Sequence, residues 1–344
     1  MKKQRILLIV LLVFAVSLIS ATFYAYQAVQ TPNVLVEQSD KVLLIRPDTG
    51  FDQLQSQLHE EGYVHDLLSF SVLAKLMKYD ENVKPGRYEL QSDMSNLAAI
   101  RLLRSGEQAP VSVTFNNVRL KHELAERLTE NLLAEAGEFE ALLNDSATVA
   151  TYGFTTENVL SMFVPNTYQF FWTTDAKALL ERMHREYEKF WTAERRQKAD
   201  SLGMSPTEVS ILASIVESET NKPDEAPKVA GLYLNRLDRN IALEADPTLV
   251  FAAQDFTIRR VLNKHKEIDS PYNTYKYTGL PPGPIRVPSP QSLNAVLDHQ
   301  DHNYIFMCAK EDFSGYHNFA TNLRAHINNA KRYQQALSQA GIYN

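Results

Sequence analysis

The sequence predicts an α+β protein: an N-terminal transmembrane helix, a small α+β module, and a larger mixed α+β domain that carries the candidate site. Three observations lead there. No charged residue stands between Ile6 and Val36. Short strand-like and helix-like segments then alternate over residues 41–108. From residue 109 onward, helical patterns are interrupted by strand-like runs and by one long loop rich in Pro, Gly and Tyr. With 344 residues, 44% hydrophobic and 22% charged, the chain is long enough for two ordinary domains and has a globular composition. A net charge of −6 advertises no polyanion-binding surface, so nucleic acid is not an expected partner. Cys308 is the only cysteine, which excludes an internal disulfide and any multi-cysteine metal site.

The first element is the apolar run that begins at Ile6. About twenty such residues match the hydrocarbon core of a bilayer. Lys2, Lys3 and Arg5 precede it, and no Lys or Arg follows until Lys41, so the positive-inside rule puts the N-terminus in the cytoplasm and the bulk of the chain outside. The expected layout is a cytoplasmic stub over 1–5, an anchor over 6–26 with Tyr24 and Tyr26 at the outer interface, and a polar linker over 27–40 containing Pro32. A cleaved signal peptide is the competing reading. The run is longer than a usual signal core, and a small-x-small cleavage site around Ser20 and Ala21 is indistinct, which favours an uncleaved anchor. Either way the working part is exported.

Within 41–108, "KVLLIRP" reads as a strand and "TGFDQLQSQLHEEGYV" as an amphipathic helix with Leu54 and Leu58 on one face. "LLSFSVLAKLMKY" is a second helix, "KPGRYEL" a turn into a strand, and "SNLAAIRLLRSGE" a third helix ending at Gly106. No cluster of His, Asp, Glu or Cys marks a site there, so the module is read as a spacer or binding unit. Beyond it, "APVSVTFNN" is a strand and "KHELAERLTENL" opens a long helical stretch. That stretch is broken by "FVPNTYQFFWTT", whose aromatics suit either a core or a sugar-lining groove, the core being the commoner use. Helical pattern resumes from Asp175 to about Leu202.

The helix "GMSPTEVSILASIVESET" is the most informative element. Ser205 is a good N-cap, Pro206 suits the first helical position and Glu208 completes a capping box. Ile211, Leu212, Ile215 and Val216 recur at core-facing spacing, and that stripe continues onto Glu219. Glu217 instead follows Ser210 and Ala213 on a flank of small residues. A glutamate on the apolar side is desolvated, which raises its pKa and suits it to act as a general acid. Glu217 is then either solvated or a hydrogen-bond partner of something nearby. The bland alternative is a helix that simply ends at Glu219, with both side chains in water.

Downstream, "KVAGLYLNRL" is an amphipathic helix with Asn235 and Arg236 near its end. In "ADPT", Asp246 reads as an N-cap with Pro247 first inside the helix, a role that competes with a catalytic one. The loop "SPYNTYKYTGLPPGPIRVPSP" is long, and long ordered loops are disproportionately functional. Its Tyr272, Asn273, Thr274 and Tyr275 supply hydroxyls, an amide and ring faces fit for a sugar. "YIFMCAKEDFSGYHNFATNLRAH" reads as a buried strand and a turn, followed by His317, Thr321, Asn322 and His326 entering the last helix. The histidines form no H-E-x-x-H arrangement, and neither a G-x-S-x-G turn nor a phosphate-cradling glycine loop is present. No metal and no cofactor are expected, which leaves a carboxylic acid facing an open groove.

Taken in order and spacing, "LASIVESET", "LNRL", "ADPT", "YNTY", "GLPPGPI" and "HNFATNLRAH" resemble the YceG-like family of membrane-anchored endolytic murein transglycosylases. In that family the catalytic glutamate is the second of an E-x-E-T stretch, which implies Glu219, the residue the helix phase also selects. The resemblance implies a LysM-like fold for residues 41–108 and a transglycosylase domain over 109–344. It further implies cleavage of the MurNAc-GlcNAc β-1,4 bond within nascent glycan strands, leaving 1,6-anhydroMurNAc ends and terminating strand elongation. The implied partners are peptidoglycan glycan strands, the bacterial cytoplasmic membrane through the N-terminal helix, and peptidoglycan synthases; the catalytic domain would face the periplasm. Tyr272, Asn273, Thr274 and Asn322 are candidates for positioning the sugar, while Glu217 and Asp246 are candidates for tuning or framing. Asn235, Arg236, Thr248, Tyr275, His317 and Thr321 complete the candidate site. Two departures stand out: Ser218 replaces a commoner lysine, and a single Gly315 precedes His317 where others have a glycine pair. Two rival readings remain at this point, a lysozyme-like muramidase needing a second carboxylate such as Asp246, and a non-enzymatic peptidoglycan-binding scaffold.

Overall fold

The first element of the structure, a computed structural model that describes residues 2–342, is a single apolar helix, α1 (Lys2–Gln30), 29 residues long. It is long and apolar enough to cross a membrane. The chain as a whole is mixed α+β and divides into two units. The first takes residues 1–112 with two short returns, 131–133 and 169–174. The second takes the remainder.

After α1 the first unit continues with β1 (Pro32–Val34), β2 (Lys41–Ile45), α2 (Phe51–Glu60), α3 (Leu67–Leu76), β3 (Gly86–Leu90), β4 (Met94–Ser95) and α4 (Asn96–Ser105). β2 and β3 pair antiparallel, Leu43 opposite Tyr88, and β1 pairs antiparallel with β4. Leu43, Ile45, Leu54, Leu58, Phe70, Tyr88 and Ile100 make the shared core, the alternate positions of the strands and the three-and-four positions of the helices. Gly106 ends α4 in the left-handed conformation, as its place in the sequence suggests.

The expected linker over 27–40 is not a linker. Residues 27–30 continue α1, and 32–34 are a strand of the module with Asn33, Val34 and Leu35 buried. The polar composition that suggests a tether here is instead a buried hydrogen-bond network. Asn33 Nδ2 donates to Asn96 Oδ1 (2.7 Å), and Asn96 Nδ2 donates to Ser69 Oγ (3.0 Å) and to the Ala28 carbonyl at the end of α1 (2.8 Å). Asn33 Oδ1 accepts from the Asp66 amide (2.7 Å).

The second unit begins within β5 (Val111–Thr114). It continues with α5 (Lys121–Thr129), α6 (Ala136–Asn144), α7 (Ser146–Ala150), a 3-10 turn over Val159–Met162, β6 (Thr167–Phe170), α8 (Ala176–Phe190) and α9 (Ala193–Ser201). Then come α10 (Pro206–Glu219), α11 (Ala226–Asp238), α12 (Asp246–Ala253), α13 (Asn263–Lys266), α14 (Pro290–Leu297), β7 (Phe306–Ala309), β8 (His317–Ala320) and α15 (Leu323–Gln339). α10 is the central helix, packed by α11, α12 and α14 and buried without a break from Val209 to Val216. Its start is as the sequence dictates: Ser205 Oγ accepts from the Glu208 amide and Glu208 returns a bond to the cap amide. In the aromatic segment Tyr168 is core, stacked on Phe115 with ring centres 6.0 Å apart, while Phe171 is exposed.

Replacing Asn96 by alanine takes the side-chain donor from the Ala28 carbonyl and one of the bonds from the Asn33 amide, which keeps the Asp66 carbonyl (2.9 Å). The expected loss is about 2 kcal/mol, read as a lower denaturation midpoint in chemical unfolding of the full chain.

Candidate active site

The last turn of α10 carries three separate attachments. On the small-residue flank, Ser214 Oγ accepts from the Ile285 amide (3.1 Å) and Glu217 Oε2 accepts from the Ser289 amide (2.6 Å). Arg286 lies 3.4 Å from the other Glu217 oxygen. Glu217 is thus a clip that holds the loop over residues 285–289 onto α10, not a solvated side chain. The same loop passes so close to residue 157 that a Cβ on Gly283 would stand 2.0 Å from the Glu157 carbonyl oxygen, which is why only glycine fits within "GLPPGPI".

On the apolar side Glu219 is half-buried, and the Tyr233 hydroxyl of α11 donates to its Oε1 at 2.7 Å. Burial pushes the Glu219 carboxyl up to about 7; the bond from Tyr233 opposes this and the negative charge of Asp246 adds to it. Tyr233 itself is held well above its ordinary value, chiefly by burial and then by the Glu219 charge, so it stays a hydrogen-bond donor. Two adjoining cavities share Glu219 and Asp246 in their walls, one of about 800 Å³ and one of about 330 Å³. Arg119, Arg259 and Phe256 line the larger; Tyr233, Tyr275, Cys308 and His317 line the smaller.

The third attachment follows the helix end. Thr220 Oγ1 donates to buried Glu225 (3.0 Å), which also accepts from the His317 amide (2.8 Å) and from His317 Nδ1 (2.8 Å). Glu225 is the acceptor in all three bonds, so Nδ1 carries the histidine proton. His317 is therefore a strand residue of β8 pulled to the end of α10, not a residue entering the last helix, and β7 before it is half-buried instead of buried.

The other expected site residues divide between the cavity walls, where Asp246, Tyr275 and Arg236 stand, and the framework behind them. Asp246 is not an N-cap: its helix starts with it, its side chain makes no capping bond, and it accepts from the Tyr275 hydroxyl at 2.6 Å. Asn273 and Thr274 are buried and bonded within the protein. Asn273 Nδ2 donates to the Lys266 and Ile268 carbonyls (2.9 and 2.8 Å), and Thr274 Oγ1 bonds Thr248 Oγ1 (2.8 Å) and the Ala245 amide (3.1 Å). Together they set the loop so that Tyr275 reaches Asp246. Arg236 is buried among the Ala242 and Ile305 carbonyls and Glu244, and Asn235 braces the His302 and Tyr304 carbonyls. Tyr272 packs on Phe251 and lines a different cavity of about 510 Å³, which shares Arg119 and Phe251 with the larger one. Thr321 and Asn322 are exposed, and Asn322 caps α15 by accepting from the Ala325 amide (3.0 Å). Tyr233 and Glu225 escape a reading of the sequence because each looks like an ordinary helix residue; only the fold brings them to Glu219.

The sequence profile of the YceG-like family matches residues 43–332, more than half of the chain. This chain belongs to the YceG-like family. An endolytic murein transglycosylase of Streptococcus pneumoniae is 26% identical over 333 residues, covering 87% of this chain and 60% of the relative. Its namesake in Bacillus subtilis is 33% identical over 157 residues, covering 46% and 41% respectively. The chain thus spans less than two thirds of the length of either relative. A 2.6 Å crystal structure of a YceG-like protein from Listeria monocytogenes shares the fold, with a TM-score of 0.57 and 24% identity over 84% of this chain and 98% of that one.

Two outcomes follow from the geometry of Glu219. Below its ordinary value of 4.5 the carboxyl is protonated whether the chain is folded or unfolded. Between 4.5 and about 7 only the unfolded chain ionises readily, so the fold loses stability as pH rises through that window. Glu219→Gln should therefore match the wild type in thermal unfolding at acid pH and exceed it by about 3 kcal/mol above neutrality. Tyr233→Phe removes the bond that favours the carboxylate and should move the Glu219 titration, followed by NMR of the labelled side chain, to higher pH. Gly283→Ala should cost about 2 kcal/mol, seen as a lower melting temperature.

Proposed function

We propose that this chain is a membrane-anchored lytic transglycosylase that cleaves the MurNAc-GlcNAc β-1,4 bond within peptidoglycan strands, with Glu219 as its acid and base. The observation that carries this reading is a half-buried glutamate, shifted to about 7, in the shared wall of two cavities and bonded to one tyrosine hydroxyl. The names of the curated relatives support the substrate.

The protonated Glu219 gives its proton to the glycosidic oxygen as the bond from that oxygen to the muramic anomeric carbon breaks. Positive charge develops on the sugar ring. Asp246, facing the same cavities, offsets it electrostatically. The Glu219 carboxylate, held by the Tyr233 hydroxyl, then takes the proton of the sugar's own 6-hydroxyl while that oxygen closes onto the anomeric carbon. The product is a 1,6-anhydro ring, and no water is consumed. A single residue serves both directions of proton transfer, as microscopic reversibility requires. A value near 7 suits both states at neutral pH. Because the nucleophile belongs to the substrate, its placement replaces a bimolecular encounter.

The order β2–α2–α3–β3, with its two strands paired, supports a LysM-like reading of the small module. The charges of Lys2, Lys3 and Arg5 ahead of α1 support a cytoplasmic N-terminus and a catalytic unit outside the inner membrane. An enzyme so anchored cuts strands where synthases release them, which makes those synthases its natural partners. The muramidase reading draws on the same Asp246, which would activate a water.

Digestion of uncrosslinked glycan by the full chain, with product ends read by mass spectrometry, tests this. Internal cuts with anhydro-muramic ends are expected, lost by at least two orders of magnitude in Glu219→Gln (~10²-fold or more) and declining as pH rises through about 7. Reducing ends would replace the lyase with a hydrolase, and intact strands would leave only binding.

A further inference from the structure

Outside α1, the most exposed large apolar side chains among the described residues are Leu76 (77%) and Leu68 (69%), both on α3. Val72 (52%) stands between them, four residues from each, so the three form one stripe along α3. The core of the module does not need this stripe. Phe70 and Ala74 already bury the opposite face, with Leu73 and Met77 packed at its edges. α3 is therefore apolar on both faces, although only one faces protein.

The position of α3 identifies what meets the other face. The last turn of α1 packs on α3 and α4, with Ala28 and Val29 half-buried and the Ala28 carbonyl bonded to Asn96. Tyr26, at the outer end of the apolar run, is only about 3 Å of helix rise from Ala28. The stripe thus begins within reach of the plane where α1 leaves the bilayer. Lys75 and Lys78, both exposed, stand beside its end and suit anionic headgroups.

We infer that α3 lies in the outer membrane–water boundary, its Leu68, Val72 and Leu76 side chains seated among the upper acyl chains. The module then rests on the bilayer surface and is not suspended above it. The inference rests on reading α1 as a membrane span; the helix stripe adds a second contact that the span alone does not require.

The test uses the full chain, with Cys308→Ser as background, reconstituted into vesicles of phosphatidylethanolamine and phosphatidylglycerol. Single-cysteine variants Phe14→Cys and Val72→Cys carry an environment-sensitive fluorophore, and lipids brominated near the headgroup or near the chain ends serve as quenchers. The expected result is deep quenching at Phe14 and shallow quenching at Val72, with the Val72 signal lost on adding Leu68→Ser and Leu76→Ser while that at Phe14 persists. Quenching at Phe14 without any at Val72 would overturn the inference and leave the anchor standing. So would Val72 left unquenched in vesicles but cross-linked to a protein in native membranes, since the stripe would then be a protein interface. Absence of quenching at both positions would remove the anchor itself, and the inference with it.

Discussion

Desolvation of one carboxylate at the end of a buried helix is the constraint on which the rest of the second unit depends. A helix that is core along its whole length can place a glutamate in an apolar setting only at its last turn, where the walls of the core open. α10 does this, and its final residues are then committed to keeping that opening in shape. Glu217 clips one loop, Thr220 and Glu225 draw in β8, and Tyr233 approaches from α11. Each bond ties a side chain at or just past the end of α10 to another segment, and none leaves its polar partner unsatisfied. The wall around Glu219 is thus held by side-chain hydrogen bonds that gather other segments to the end of α10.

Much of this was legible in the sequence because it obeys local rules. The capping box at Ser205 and the three-and-four stripe leading to Glu219 are properties of neighbours along one helix, and the structure keeps both. The misreadings share a different cause. Asp246 looks like a cap because Asp-Pro commonly opens helices, yet its carboxylate is claimed by Tyr275, 29 residues away. Asn273 and Thr274 look like sugar ligands because they are polar residues in a long loop, but their side chains bond the backbone of the segments the loop packs on, at Lys266, Ile268 and Ala245. Glu225 and Tyr233 gain their roles only from contacts 92 and 14 residues distant. Composition reports which groups are available; partners across the fold decide how they are used.

The small module shows the same division. Its strands and helices follow from hydrophobic period, whereas the stretch after α1 misleads. A short polar segment with a proline has the composition of a tether, but Asn33 and Asn96 turn it into a buried joint.

That joint has a mechanical consequence. A tether permits swivel, so a module on one samples all orientations within its reach. Bonding the Ala28 carbonyl into the module core removes the pivot, and the module turns and tilts only as α1 does. With α1 spanning a bilayer as proposed, reorientation becomes rotation about the helix axis, slowed by lipid viscosity instead of water. Under the anchoring proposed above, the module keeps one height over the bilayer, and whatever it meets there is found by a search in two dimensions.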